Sequence, residues 1–208
     1  PYVQATNFVF AAIPLFVLTG TLADYAGITQ DLYDVLHRWI GWLPGGLAIA
    51  TIGACGGFAA ISGSSVAEAA AMGRVTYKEM IRYNYSPRLA AGCIAAGGEL
   101  GTLIPPSLFF IIYGLLTETS VAKLFMAGFL PGLLMVLLYS SVIYLLARMN
   151  PSLAPRGPSV FWRDRFLSLP RLLPALVMVV VVLGGIYGGI FTPTEAAAVG
   201  VSLSFLIM

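Results

Sequence analysis

Two adjacent prolines, Pro105 and Pro106, sit in the middle of a long apolar run, in the stretch Gly97–Ser107 (GGELGTLIPPS). Proline has no N–H, and its ring displaces the carbonyl one helical turn back. In a helix, Pro105 orphans the carbonyl of Gly101 and Pro106 that of Thr102. Lipid offers such groups no partner, so a break of this kind survives only where protein, water or an ion satisfies it. A second interruption lies upstream at Ile61–Ser65 (ISGSS). Two broken segments in a membrane chain point to a buried ion or substrate site.

That the chain is a membrane protein follows from its composition. It has 208 residues, 59% hydrophobic and 10% charged, against about 25% charged in soluble domains. The net charge of +2 and the lack of a basic run with interleaved aromatics exclude a nucleic-acid partner. Cys55 and Cys93 lie in apolar segments without metal-ligand spacing and read as small buried residues. Pro1 opens the chain without a basic n-region, and the last residues, VGVSLSFLIM, are apolar. The expectation is a fragment cut at both ends, without a signal peptide.

Spans need about 20 apolar residues. The first candidate is Asn7–Ala26, with Pro14 inside it. Ile28–Ile40 is amphipathic, with Leu32, Leu36, Trp39 and Ile40 on one face, as expected of an interfacial helix anchored by Trp39 and Trp42. His37 on this stretch reads as a surface residue. Pro44–Ile61 is apolar and glycine-rich, and Val66–Met80 turns polar along its length. Pro87–Leu103 and Leu108–Leu116 flank the proline break. After the polar piece TETSVAK, Gly128–Arg148 is an ordinary span. Asn150–Pro170 is a polar, proline-rich loop, Leu172–Phe191 is a further span, and Thr192 opens a last helix.

Loop 148–171 holds five arginines against Asp164, and loop 74–88 holds Arg74, Lys78, Arg82 and Arg88 against Glu79. Both are expected to be cytoplasmic, and the neutral connection 117–123 external. The stretch 24–43 carries Asp24, Asp31 and Asp34 with one Arg, and by net charge belongs outside. In that case 44–73 crosses the membrane. The alternative is a re-entrant hairpin with its tip at SGSS, which keeps 28–43 cytoplasmic.

Ser65 followed by Glu68 has capping-box spacing, so a helix is expected to start there, its positive end facing the break. Such an end suits an anionic group, while serine hydroxyls and freed carbonyls suit a cation. The GTLIPPS stretch adds two freed carbonyls and two hydroxyls, and hard cations take oxygen ligands. Neutral oxygens are enough for a singly charged ion such as Na⁺. Glu99 is an acid in an apolar helix, either buried for a proton or cation role or facing water. Thr192-Pro193-Thr194-Glu195 reads as a helix cap. No nucleophile–base pair, metalloprotease helix or phosphate loop is present, so no catalytic residue and no transition-metal site is expected.

The segments IPLFVLTG (13–20), FAAISGSSVAEAAAMG (58–73), GTLIPPS (101–107), LFMAGFLPGLL (124–134) and GGIFTPTEAAAVG (188–200) resemble the large membrane subunit of tripartite ATP-independent periplasmic (TRAP) transporters. The resemblance implies an all-α polytopic membrane protein, an inverted-repeat elevator-type transporter with a re-entrant hairpin and an unwound helix, of which this chain carries about the first half. It divides the chain into a membrane helix with an interfacial arm (1–43), transport-domain elements (44–117, with hairpin 44–80 and broken helix 87–116), an interfacial piece with a span (118–148), a cytoplasmic loop (149–171) and the start of a second repeat (172–208).

It implies sodium-driven import of organic acids across the bacterial inner membrane, with Na⁺ as coupling ion and no organic cofactor. The implied partners are a periplasmic substrate-binding protein, a small membrane (Q) subunit and the lipid bilayer. On this reading Ser62, Gly63, Ser64, Gly101, Thr102, Leu103 and Pro105 surround sodium, and Ser65, Glu99, Pro106 and Ser107 face the substrate. The competing readings are a proton-coupled carrier using Glu99, or a membrane enzyme or non-transporting scaffold subunit.

Overall fold

A computed structural model describes residues 8–157 and 160–208, and its regular structure among these residues is entirely helical. Asn7, the expected start of the first span, lies outside them. A 3-10 turn, Phe8–Ala11, leads into α1, Ala12–Tyr25. Pro14 sits in the first turn of α1, where its missing N–H has no helical partner to lose. At Gly27, whose φ of +84° suits a residue without Cβ, the chain bends by 62° into α2, Ile28–Ile40. The buried face of α2 is Ile28, Thr29, Leu32, Tyr33 and Val35. His37 departs from its expected surface position. Its ring lies between Tyr33 (5.7 Å) and Tyr83 (5.8 Å), and its Nε2 is buried.

The next two helices form a hairpin. α3, Gly46–Ser62, and α4, Ser65–Arg82, are joined only by Gly63 and Ser64. At 1.5 Å per residue α3 is about 25 Å long, short of a hydrocarbon core of about 30 Å. Both ends of the hairpin lie together, because the Leu47 N–H donates to the hydroxyl of Tyr85 (3.3 Å). Gly53 and Gly57 let α3 approach α2. A Cβ on either would sit 3.1 Å from Leu36 or Leu32.

α5, Pro87–Gly98, α6, Leu100–Leu103, and α7, Leu108–Leu116, are one apolar segment of 30 residues with two interruptions. α8, Val121–Met149, is longer than the Gly128–Arg148 span expected, because the polar connection ends at Ser120 and Lys123 already lies in the first turn. It turns Leu130, Leu133, Leu134, Leu137 and Leu138 outward, exposed, as a lipid-facing helix does. After a loop come α9, Trp162–Ser168, a 3-10 turn, Leu169–Leu172, and α10, Leu173–Tyr187. α11, Pro193–Ile207, starts with the cap expected of it. The Thr192 hydroxyl accepts from the Glu195 N–H (3.3 Å), and the Glu195 carboxylate accepts from the Thr192 N–H (2.8 Å). α11 packs on α1 through small residues, with a Ser204 hydroxyl donating to the Thr19 carbonyl (3.3 Å) and Gly200 against Thr19, a packing mode common among membrane helices.

The arm and the basic loops share one end of the molecule. Asp34 pairs with Arg171 (3.8 Å), and the Trp39 indole N–H donates to the Arg165 carbonyl (3.2 Å). The Gly157 N–H donates to the Gly41 carbonyl (3.0 Å), and the Ser86 N–H to that of Leu153 (2.9 Å). Asp24 pairs with Arg74. Of the two placements left open for 24–43, these contacts favour the one beside the basic loops, with 44–80 as a hairpin. Two of the three acids of 24–43, Asp24 and Asp34, are paired within the fold, and orientation follows Lys and Arg rather than net charge. With Cys55 and Cys93 replaced, a cysteine at Lys78 should react with an impermeant maleimide only from the cytoplasmic side. Labelling from the periplasm would contradict this orientation.

Candidate functional site at two helix breaks

The hairpin tip and the interrupted segment meet. Gly63 adopts φ +62°, and its carbonyl accepts from the Leu108 N–H (3.1 Å). Its Cα lies so close to the Pro106 carbonyl that a Cβ would collide with the oxygen. On the other side of the contact, a Cβ on Gly101 would sit 2.6 Å from Glu68 Oε2 and 3.1 Å from the Ser65 nitrogen. The two glycines therefore fix how closely the breaks approach. Gly20 of α1 presses on Ser62 from a third direction, its Cβ position 3.1 Å from the Ser62 Cα.

The break in the second segment follows from its prolines. α6 ends at Leu103, and Ile104 turns extended. No helical donor then remains for the Gly101 carbonyl, because Pro105 stands where one would come from. The Thr102 carbonyl accepts instead from the Ser107 hydroxyl (2.6 Å). Ser107 is fully buried, so this bond ties the two sides of the break together inside the protein. The Thr102 hydroxyl donates to the Glu99 carbonyl (2.7 Å). α8 closes over the break through Gly128 and Gly132, four residues apart. A Cβ on Gly128 would sit 2.5 Å from the Leu103 carbonyl, and one on Gly132 2.6 Å from Ile104. A Gly128→Leu substitution should push α8 off the break and lower the melting temperature of the protein by several degrees, while Gly92→Leu, at a glycine with open space beside it, should not. Equal melting temperatures would contradict the packing role.

Of the residues expected around a cation, Ser62, Gly63, Gly101 and Pro105 are buried, and Ser64, Thr102 and Leu103 half-buried. Of those expected toward the substrate, Pro106 and Ser107 are buried, Ser65 is half-buried and Glu99 is exposed. Glu99 follows α5, whose inward residues are Ala90, Cys93, Ile94, Gly97 and Gly98. It falls off that face and is exposed in this chain.

The buried acid is Glu68. The cap of α4 is Ser64, whose hydroxyl accepts from the Ala67 N–H (3.4 Å). This corrects the expected capping box of Ser65 with Glu68. With Ser64 as cap, Glu68 stands one residue beyond the box position and turns inward, with no exposed surface. Both its oxygens, and the Ser62 hydroxyl, are buried without a hydrogen bond of ordinary geometry. Buried polar groups are nearly always satisfied. Orphaned oxygens at the meeting of two helix breaks fit a hard cation, which takes oxygen ligands.

The chain is similar to known proteins along nearly its whole length. The family described as "Tripartite ATP-independent periplasmic transporter, DctM component" matches residues 2–208. The chain is 42% identical over 203 residues to the C4-dicarboxylate TRAP transporter large permease protein DctM of Vibrio cholerae, covering 98% of this chain and 44% of that protein. It is 43% identical over 201 residues to the protein of the same name from Pseudomonas aeruginosa, covering 97% of this chain and 47% of the relative. It is 39% identical over 211 residues to the isethionate TRAP transporter permease protein DctMQ of Oleidesulfovibrio alaskensis, covering 99% of this chain and 32% of that protein. The chain spans about half the length of the large permeases it matches. These relatives are transporter permeases rather than enzymes, and the chain belongs to the DctM family, the large membrane component of tripartite ATP-independent periplasmic transporters.

Proposed function

We propose that this chain forms about the first half of a multi-pass inner-membrane permease that imports organic anions, driven by sodium and fed by a periplasmic substrate-binding protein. The observation that carries this reading is the contact of Gly63 with Pro106 and of Gly101 with Ser65, which brings two interrupted helices together inside an apolar protein. Lipid-facing backbone is never left in that state, and interrupted helices are kept where they bind a solute. Oxygens from Ser62–Ser64, Gly101–Leu103 and Pro105 surround the sodium ion. The first turn of α4 after Ser65, with Pro106 and Ser107, faces the anion, whose charge the positive end of the helix favours. Cation and anion then bind more tightly together than apart, which is coupling.

The substrate class rests on the relatives, two named for C4-dicarboxylates and one for isethionate. All are small organic anions. The fused name DctMQ supports a small Q subunit as partner. The resemblance supplies the elevator mode of movement, with 44–117 as the mobile unit. A proton-coupled carrier using Glu99, which is exposed in this chain, is the alternative reading.

The test is uptake of labelled succinate into proteoliposomes holding the full-length permease and its small subunit. Uptake should require both the binding protein and an inward sodium gradient. Uptake of equal rate in choline, driven by a proton gradient, would contradict the reading.

A further inference from the structure

Glu68 has no part in the expected cation cage, yet it is the acid the fold places there. It has no exposed surface, and neither oxygen makes a hydrogen bond of ordinary geometry. Among the described residues the ion pairs are Asp24–Arg74, Glu79–Arg82 and Asp34–Arg171, so none reaches it. Its nearest donors are the weak Cys55 thiol from α3 and the Gly101 N–H from α6, and neither supplies a positive charge. Gly101 carries no side chain where one would collide with the carboxylate, its Cβ position lying 2.6 Å from Oε2. The Ser62 hydroxyl, also buried and unpartnered, marks the same hairpin tip. A buried acid without a partner is costly and in a membrane protein marks an ion path or a charge partner.

We propose that the Glu68 carboxylate is the charged ligand of the cation site between the two helix breaks. This deepens the sodium-coupled reading and rests on it. The oxygens anticipated from sequence are neutral, and a site made of them alone is electrically neutral when empty. With Glu68 a bound cation is balanced by a charge of the protein's own, which holds it more firmly than neutral oxygens alone.

The test is the thermal unfolding midpoint of the purified full-length permease with its small subunit, titrated with NaCl at constant ionic strength against choline chloride. A ligand that binds only the folded state raises the midpoint saturably. The wild type and a surface control, E118Q, should respond alike. E68Q should need at least about tenfold more sodium for half the effect, or lose the effect. Its midpoint in choline should equal or exceed that of the wild type, since a neutral amide needs no counter-ion. E68D, which keeps the charge but shortens its reach, should shift half-saturation several-fold, and it carries the test by itself if E68Q does not fold. A wild-type sodium response retained unchanged in E68Q, or in E68D where that variant alone folds, overturns the assignment and leaves sodium coupling intact. A wild-type midpoint indifferent to sodium overturns the sodium-coupled reading and the assignment with it.

Discussion

Replacing Gly63 with valine should abolish sodium-dependent uptake by the full-length protein while leaving membrane insertion intact. Two costs act together. Gly63 has φ +62°, a region that costs an ordinary residue about 1–2 kcal/mol and suits a β-branched one least. Its Cα also lies against the Pro106 carbonyl, so any side chain forces the hairpin tip away from the broken helix. A displacement of about 1 Å at a reacting or binding site can cost on the order of 10²-fold, and valine demands more than that. Gly63→Ala should fall between the two, with uptake reduced but measurable. Full uptake in Gly63→Val would mean that the contact of the two breaks is not part of the transport site.

The second large effect is expected from Pro105→Ala combined with Pro106→Ala. Each proline costs about 3 kcal/mol in a helix interior, which keeps α6 and α7 apart. Alanines restore the N–H groups at 105 and 106 as donors for the Gly101 and Thr102 carbonyls. A continuous helix then competes with the Ser107–Thr102 hydrogen bond that ties the native break together. The variant should insert normally and melt at or above the wild-type temperature, yet lose sodium-dependent uptake. A stabilised protein without transport separates function from folding. Retained transport would show that the break is only a kink.

The breaks themselves were legible in the sequence because their causes are local. A proline pair removes two donors wherever it stands, and Gly63 followed by serines stops one helix and caps the next. The Thr192–Glu195 cap was equally local, and its residues make the bonds their spacing anticipates. The acids were not legible. The spacing of Ser65 and Glu68 fits a capping box, but so does any serine three residues before a glutamate, and the fold caps α4 one residue earlier. That shift turns Glu68 by about 100° around the helix, from the end of α4 to its inward face. Glu99 was ambiguous for a different reason. Around it, α5 is mostly alanine and glycine, which fill inward and outward faces alike, so the apolar pattern does not show which side is buried. The side on which the arm lies depended on Asp24–Arg74 and Asp34–Arg171, pairs 50 and 137 residues apart in the chain, which net charge along the sequence cannot reveal.

The central claim is that the contact between the hairpin tip and the broken helix holds the coupling ion. Equilibrium binding of radioactive sodium to the purified full-length permease tests it most directly, with wild type and Gly63→Val compared at equal folded concentration. Wild type should bind sodium saturably, and Gly63→Val should bind none above background. Equal binding by the two proteins would place the cation elsewhere.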